Sequence, residues 1–281
     1  MKVSVVTPAY NSAEYISTTL QSVMLQDYHN LEHIVVDDGS TDSTPTILEK
    51  YETKYNLRWI SKKNEGQAIA VNTGFDLATG EVVVWLNSDD VLFTRNVISR
   101  IVKAFKRSDS DVVYGHMAII DENNLLRKIQ FSPSNLSHRI LSIGHYAACI
   151  SYRRAIALDY KLDPTLDYAL DYDQSLRMAR DHVKFVFLDR VILGWRRHSA
   201  AKSVTGSSRM KEEAESIRKR HQAPSRCPSS LLKLPIYGEL MIRKLLGIRL
   251  MMRIESEGEI AFPIKFDSKM RSLLANVIPY T

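Results

Sequence analysis

Four groups of polar residues in this sequence have side chains able to do chemistry: Tyr10-Asn11, Asp37-Asp38-Gly39-Ser40, Asn87-Ser88-Asp89-Asp90, and the later pair Asp171 and His198. Carboxylates accept hydrogen bonds and protons, an aromatic ring can stack on a flat ligand, and an imidazole can hold a proton or a metal. Taken singly, each group also has an ordinary structural explanation. Asp38-Gly39 is a turn signal, and paired aspartates after a strand can cap the next element. Asp171 can be a helix N-cap, and a lone histidine such as His198 is most often a surface residue.

The elements that must position these groups decide between the two explanations. Over the first 120 residues, short β-branched runs alternate with helical periods: strands at 3–7, 31–36 and 57–61, and helices at 14–25, from Thr44-Pro45 onward, and at 67–77. That alternation predicts an α/β fold on a mostly parallel sheet. Ile16, Leu20, Val23 and Met24 form one apolar stripe on the first helix, with Ser12 as its expected cap, and Pro45 suits the opening of the second. The run 81–86 is continuously apolar after Glu81, fit for a sheet interior, and it breaks abruptly into Asn87-Ser88-Asp89-Asp90. Carboxylates at the C-terminal end of a strand are where α/β sheets place ligands. Farther on, strands are expected at 111–120, 149–152, 184–188 and 191–195, and helices at 171–180 and 211–220.

Taken in order, these signposts resemble the family 2 glycosyltransferases. The resemblance covers residues 2 to about 205. It rests on Val3-Ser4-Val5-Val6-Thr7-Pro8-Ala9-Tyr10-Asn11, Gln21-Ser22-Val23 with Gln26, and Ile34-Val35-Val36-Asp37-Asp38-Gly39-Ser40-Thr41-Asp42. It continues through Asn64-Glu65-Gly66, Asn72-Thr73-Gly74, Ala78-Thr79-Gly80-Glu81, Trp85 to Asp90, Asp171-Tyr172-Asp173 with Arg177, and Trp195 to Ser199. The resemblance implies a GT-A fold at 1–205, with a nucleotide-sugar half at 1–120 and an acceptor half at 121–205. A basic, largely helical extension at 206–281 would follow.

It also implies roles. Tyr10 would stack on the nucleotide base and Asp38 would accept a hydrogen bond from the N–H of a uracil-like ring, with Thr7, Pro8, Asn64, Gly66, Asn72 and Ser88 along the same nucleotide site. Asp89 and Asp90 correspond to the family's acidic metal motif. Two carboxylates attract a sugar diphosphate only through a divalent cation, and oxygen ligands favour Mg2+ or Mn2+. Asn87 stands where many relatives carry another Asp. His198 could reach the metal, in a segment whose Arg196, Arg197, Ser199, Lys202 and Ser203 suit a diphosphate. Asp171 falls on the position of the catalytic base, and apolar neighbours such as Leu170, Tyr172 and Leu176 would raise its pKa; many relatives have Glu in place of Leu170. Asp173 would turn away and pair with Arg177.

The expected function is therefore inverting transfer of a sugar from a UDP- or TDP-sugar to a hydroxyl of a glycan or lipid-linked acceptor in surface polysaccharide synthesis. The competing readings are a non-catalytic nucleotide-sugar-binding subunit and a nucleotidyltransferase of related fold. The latter would need a glycine-rich phosphate loop where Pro8-Ala9-Tyr10-Asn11 stands, and neither G-x-G-x-x-G nor a P-loop motif occurs.

With 44% hydrophobic and 25% charged residues the composition is globular. Only two cysteines, Cys149 and Cys227, occur, and the N-terminal residues run straight into a strand pattern, so a reduced, cytoplasmic protein is expected. No apolar run reaches the roughly 18 to 20 residues that cross a bilayer. The net charge of +6 is concentrated in the tail, where residues 202–253 hold twelve Lys and Arg against four Glu. Leu, Met and Ile alternate with Arg and Lys over 231–254, a pattern expected to lie on an anionic membrane, on the inner face of the cell membrane, the alternative being a helix packed on the catalytic domain. Nucleic-acid binding would need aromatic stacking residues interleaved with the basic ones, and this tail offers mainly Leu and Met, so nucleic acid is not an expected partner.

Overall fold

A computed structural model describes residues 1–142, 150–221 and 265–266. The first half runs β1 (Val3–Ala9), α1 (Ile16–Met24), β2 (Leu31–Asp37), α2 (Thr44–Glu52), β3 (Leu57–Ser61), α3 (Gln67–Leu77), β4 (Val82–Trp85), β5 (Val91–Leu92) and α4 (Val97–Arg107). The second half runs β6 (Val112–Asp121), β7 (Leu125–Gln130), α5 (His138–Ser142), β8 (Ile150–Arg153), α6 (Arg154–Asp159), α7 (Leu170–Arg180), β9 (Phe185–Arg197), α8 (Lys202–Thr205), α9 (Ser207–Arg220) and β10 (Lys265–Phe266).

Among the described residues the strands form one mixed sheet in the order β10-β7-β6-β8-β4-β1-β2-β3, with β9 joined to β5 and β6. The strands β4, β1, β2 and β3 are mutually parallel, with Val3 beside both Leu31 and Val82. This parallel part follows from the sequence, because a strand covered by helices on both faces must be apolar on both. Alternate residues do enter different cores: Val6, Val83 and Val112 pack on one side with Phe75, Leu176 and Ile217, while Val5, Val84 and Val113 pack on the other with Ile98, Ile101 and Phe105. Helix α4 closes the second face with Val97, Ile98, Ile101, Val102 and Phe105 buried in one stripe. Truncating Phe105 to Ala would cost about 3–5 kcal/mol.

Several details differ from the sequence expectations. The two strands expected at 184–188 and 191–195 are one, β9, whose pairing with β6 slips around Tyr114, His116 and Met117 instead of breaking. Helix α1 has no side-chain cap; the carbonyl of Ser12 accepts from Ile16 N at 2.9 Å, and its hydroxyl instead meets Ser88 Oγ at 2.7 Å. Helix α9, at the start of the expected helical extension, packs onto the domain, with Ile217 fully buried in the same core as Leu176. The stretch 231–254 lies outside the described residues. Among those described, no helix is long and apolar enough to cross a membrane.

Candidate active site

The polar groups that follow β1, β2 and β4 emerge at the C-terminal ends of adjacent parallel strands, where the strand order reverses around β1. They share one cleft of about 810 Å3 with residues of α7, β9 and α9.

Two side turns shape the nucleotide end. Asn11 takes a left-handed backbone (φ 47°), its N–H donates to Ser40 Oγ at 2.8 Å, and its Oδ1 accepts from Thr41 N at 2.8 Å. The β1 and β2 loops are thereby tied together, leaving Tyr10 as an exposed ring, 51% accessible, at the rim. Gly39 is also left-handed (φ 80°), and a Cβ there would sit 2.9 Å from Asn64 N, so the turn has room for no side chain. Asp37 points inward, accepting from Ser40 N and Ser61 Oγ, while the nearly buried Asp38 borders the cleft. Asp38 Oδ1 accepts from Lys62 Nζ at 2.6 Å and Glu65 N at 3.1 Å, and Oδ2 from Gly66 N at 2.8 Å. One lone pair of Oδ2 remains for a ligand N–H.

Pro8, Tyr10, Asp38, Asn64, Gly66 and Ser88 all line the cleft, but two residues expected on the nucleotide site do not. The Thr7 side chain is fully buried against His33, Oγ1 to Nε2 at 2.9 Å, because the pleat of β1 turns it toward β2. Asn72 faces the other side of α3 and holds both the N–H and the carbonyl of Leu162, at 2.8 and 2.9 Å.

Behind β4 the acidic pair is built into a network. Asp90 has almost no accessible surface; its Oδ1 accepts from Arg196 N at 2.9 Å and its Oδ2 from Asn87 Nδ2 at 3.1 Å. Asn87 Oδ1 in turn accepts from Trp85 Nε1 and Gln67 Nε2. Burial, and then the neighbouring Asp89 charge, push the Asp90 carboxyl well above the usual carboxylate range. Asp89 is the more open member, with its side chain 32% accessible and Oδ2 3.2 Å from His198 Nε2. The Tyr15 ring lies beside His198, centroids 4.4 Å apart, and over the Arg196 guanidinium at 5.1 Å.

Arg196 is the principal residue that sequence reasoning misassigned. It was expected among groups facing a diphosphate, yet it is 1% accessible and lies beneath the acidic loop. Its Nε donates to the Asp89 carbonyl at 2.8 Å and its Nη1 to Asp121 O and Asn124 Oδ1. A buried cation under two carboxylates offsets part of their mutual repulsion. Of the other basic and hydroxyl groups expected there, Lys202 and Ser203 reach the cleft, and Ser199 borders a separate groove.

A hard cation fits this donor set. Asp89 offers an accessible carboxylate, His198 an imidazole nitrogen beside it, and Asp90 a second carboxylate behind, a mixture that suits Mn2+ or Mg2+. Among the described residues, no three His, Cys, Asp or Glu side chains form a ready cage, so ligand oxygens must complete any coordination.

Asp171 occupies the first turn of α7 and borders the same cleft. Burial raises its carboxyl to about 6, against the opposing pull of the Tyr172 and Asp171 backbone N–H groups. Asp173 is turned away, held by Arg177 Nε at 2.8 Å and His221 Nε2 at 2.8 Å, so it is not available as a base. Leu193, Trp195, Met117, Tyr168 and Met210 add apolar and aromatic surface to the cleft.

The parallel α/β half with flanking helices and the acidic loop after β4 are those of the GT-A glycosyltransferase fold. The chain belongs to glycosyl transferase family 2, whose model matches residues 4–162. It is 40% identical over 126 residues to an uncharacterized glycosyltransferase of Nostoc sp., covering 44% of this chain and 39% of that one. It is 32% identical over 139 residues to TuaG of Bacillus subtilis, a glycosyltransferase provisionally assigned to teichuronic acid biosynthesis, covering 48% and 55%. The chain thus spans about two fifths of the length of the first curated relatives it matches. Among solved structures it is similar in fold to S. aureus TarS in complex with UDP-GlcNAc, with a TM-score of 0.63 at 23% identity over 90% of this chain and 85% of that one. Asp171, His198 and α9 all lie beyond the residues that the family model matches.

Proposed function

We propose that this chain transfers a sugar from a UDP- or TDP-sugar to a hydroxyl of a glycan or lipid-linked acceptor, with inversion, in the synthesis of a cell-surface polysaccharide. The observation that carries this reading is that one cleft is bordered by an exposed aromatic ring, an acceptor carboxylate, the acidic loop after β4 and a carboxyl raised by burial to about 6. The relatives that support it are TarS, solved with UDP-GlcNAc, and TuaG.

Tyr10 stacks on the base, and Asp38 accepts its imino N–H, a hydrogen that uracil and thymine both offer. Asp89, Asp90 and His198 hold the divalent cation, which when bound neutralises the diphosphate and stabilises it as a leaving group. Arg196 fixes the loop that presents these ligands. Asp171 takes the proton of the acceptor hydroxyl as its oxygen attacks the anomeric carbon and the bond from that carbon to the diphosphate breaks on the opposite face.

The test is a panel of UDP-, TDP- and GDP-sugars with Mn2+, following release of nucleoside diphosphate. One or more UDP- or TDP-sugars should be turned over. Clear preference for a GDP-sugar would overturn the base assignment, and no release from any donor would favour a non-catalytic binding protein.

A further inference from the structure

Helix α7 carries Asp171 yet has no side-chain cap from its own N-cap residue, Ala169. A carboxylate from another helix instead holds the segment that leads into it. Glu213 on α9 accepts from three successive backbone amides, Asp167 N at 2.8 Å through Oε1, and Tyr168 N at 2.7 Å and Ala169 N at 2.6 Å through Oε2. Amides in succession converging on one anion form a strong, directional grip, and the negative charge also suits the positive end of α7. The same short segment is held twice more from the side of His198. Lys202 Nζ donates to the Asp167 carbonyl at 3.2 Å, and Gly206 lies so close to the Tyr168 ring that a Cβ would collide with it. Leu170 and Asp171 follow at once. Glu213 does not border the cleft, whereas its helical neighbours Met210, Ala214 and Arg218 do, so its carboxylate serves the backbone and not a ligand.

We propose that Glu213 is a positioning residue for the base: by fixing the backbone at 167–169 it sets the direction from which Asp171 meets the acceptor hydroxyl. This rests on the reading of Asp171 as the base. Helix α9, beyond the matched family residues, thereby becomes part of the catalytic apparatus. The donor end of the cleft, where Tyr10, Asp38 and the acidic loop sit, does not depend on it.

The full chain carrying Glu213→Ala or Glu213→Gln tests this, using the nucleotide sugar that the panel selects, with water as acceptor. Alanine removes all three acceptors. Glutamine keeps one carbonyl oxygen, enough for the Tyr168 and Ala169 amides. Glu213→Ala should lower kcat about 10- to 100-fold, the cost of a misplaced catalytic group, and Glu213→Gln should recover much of that loss. The donor KM and the calorimetric affinity for UDP with Mn2+ should stay within about threefold in both. If Glu213→Ala does not fold, Glu213→Asp, whose carboxylate is drawn back by one methylene from the three amides, should show the same split, with lower kcat and unchanged donor affinity. Unchanged kcat, or donor affinity falling in step with kcat, would overturn the proposal. Should Asp171→Asn retain turnover, the base reading itself fails; should Asp171→Asn lose turnover while Glu213→Ala keeps it, only the positioning role fails.

Discussion

The pH dependence of Asp171 gives the sharpest quantitative expectation. With a carboxyl at about 6, the base is roughly 90% ionised at pH 7 and roughly 10% at pH 5, so kcat/KM should fall about tenfold between its plateau and pH 5. An ordinary exposed Asp would stay ionised over that range and give a flat profile. The stability sign is opposite to the activity sign. The folded-state pKa of about 6 lies above the ordinary 3.8, so the folded chain holds an extra proton between these values, and that stabilisation is lost as pH rises through 6. Ionised Asp171 therefore costs at most about 3 kcal/mol at pH 7, reduced further because the side chain opens on a solvent-filled cleft. Asp171→Asn should consequently raise the melting temperature at pH 7, with little change at pH 4, while lowering turnover about 10²- to 10⁴-fold. Nucleotide affinity should stay within a few-fold. Turnover against pH and thermal unfolding at the two pH values, on parent and variant, check all of this. A flat parent profile from pH 5 to 8, or the same acid limb in the variant, would refute the reasoning.

Other expectations concern the donor end. Exhaustive chelation should abolish turnover and weaken UDP binding, because the acidic pair then repels the diphosphate, and Asp90→Ala should do so by removing one ligand of the cation; calorimetry with and without Mn2+ reads both, and near-normal activity in either case would argue against the metal. Tyr10→Ala should weaken UDP by about 1–3 kcal/mol, or roughly 5- to 150-fold, without lowering the melting temperature, since the ring is exposed. Arg196→Ala should cost about 3–5 kcal/mol of stability by removing the buried guanidinium that holds the Asp89 and Asp121 carbonyls and Asn124 Oδ1 beneath the acidic pair, readable by chemical denaturation.

The parallel half was legible because strands buried on both faces must be apolar throughout and their breakpoints must be polar. Val82 to Trp85 ending in Asn87-Ser88-Asp89-Asp90 shows both requirements in nine residues. Pattern matching misled at Thr7 and Asn72, which occupy motif positions but whose direction is set by the strand pleat and the helix face, quantities that a motif does not encode. Arg196 and Glu213 were hidden for a different reason. Their partners lie 107 and 44 to 46 residues away, and nothing local distinguishes a cation under an acidic loop, or a carboxylate gripping another helix, from an ordinary charged residue. The Asp171 environment was partly readable from Leu170, Tyr172 and Leu176, because residues flanking a helical position report how dry it is.

Single displacement by a base facing the leaving group is the central claim, and the anomeric configuration of the first-formed product tests it most directly. With an α-linked UDP-sugar turned over in the presence of Mn2+, proton NMR recorded within the first minutes, before mutarotation, should show the β-anomer. Initial formation of the α-anomer would contradict the account, because retention requires either a covalent intermediate or attack from the side of the diphosphate, and Asp171 would serve neither as its base.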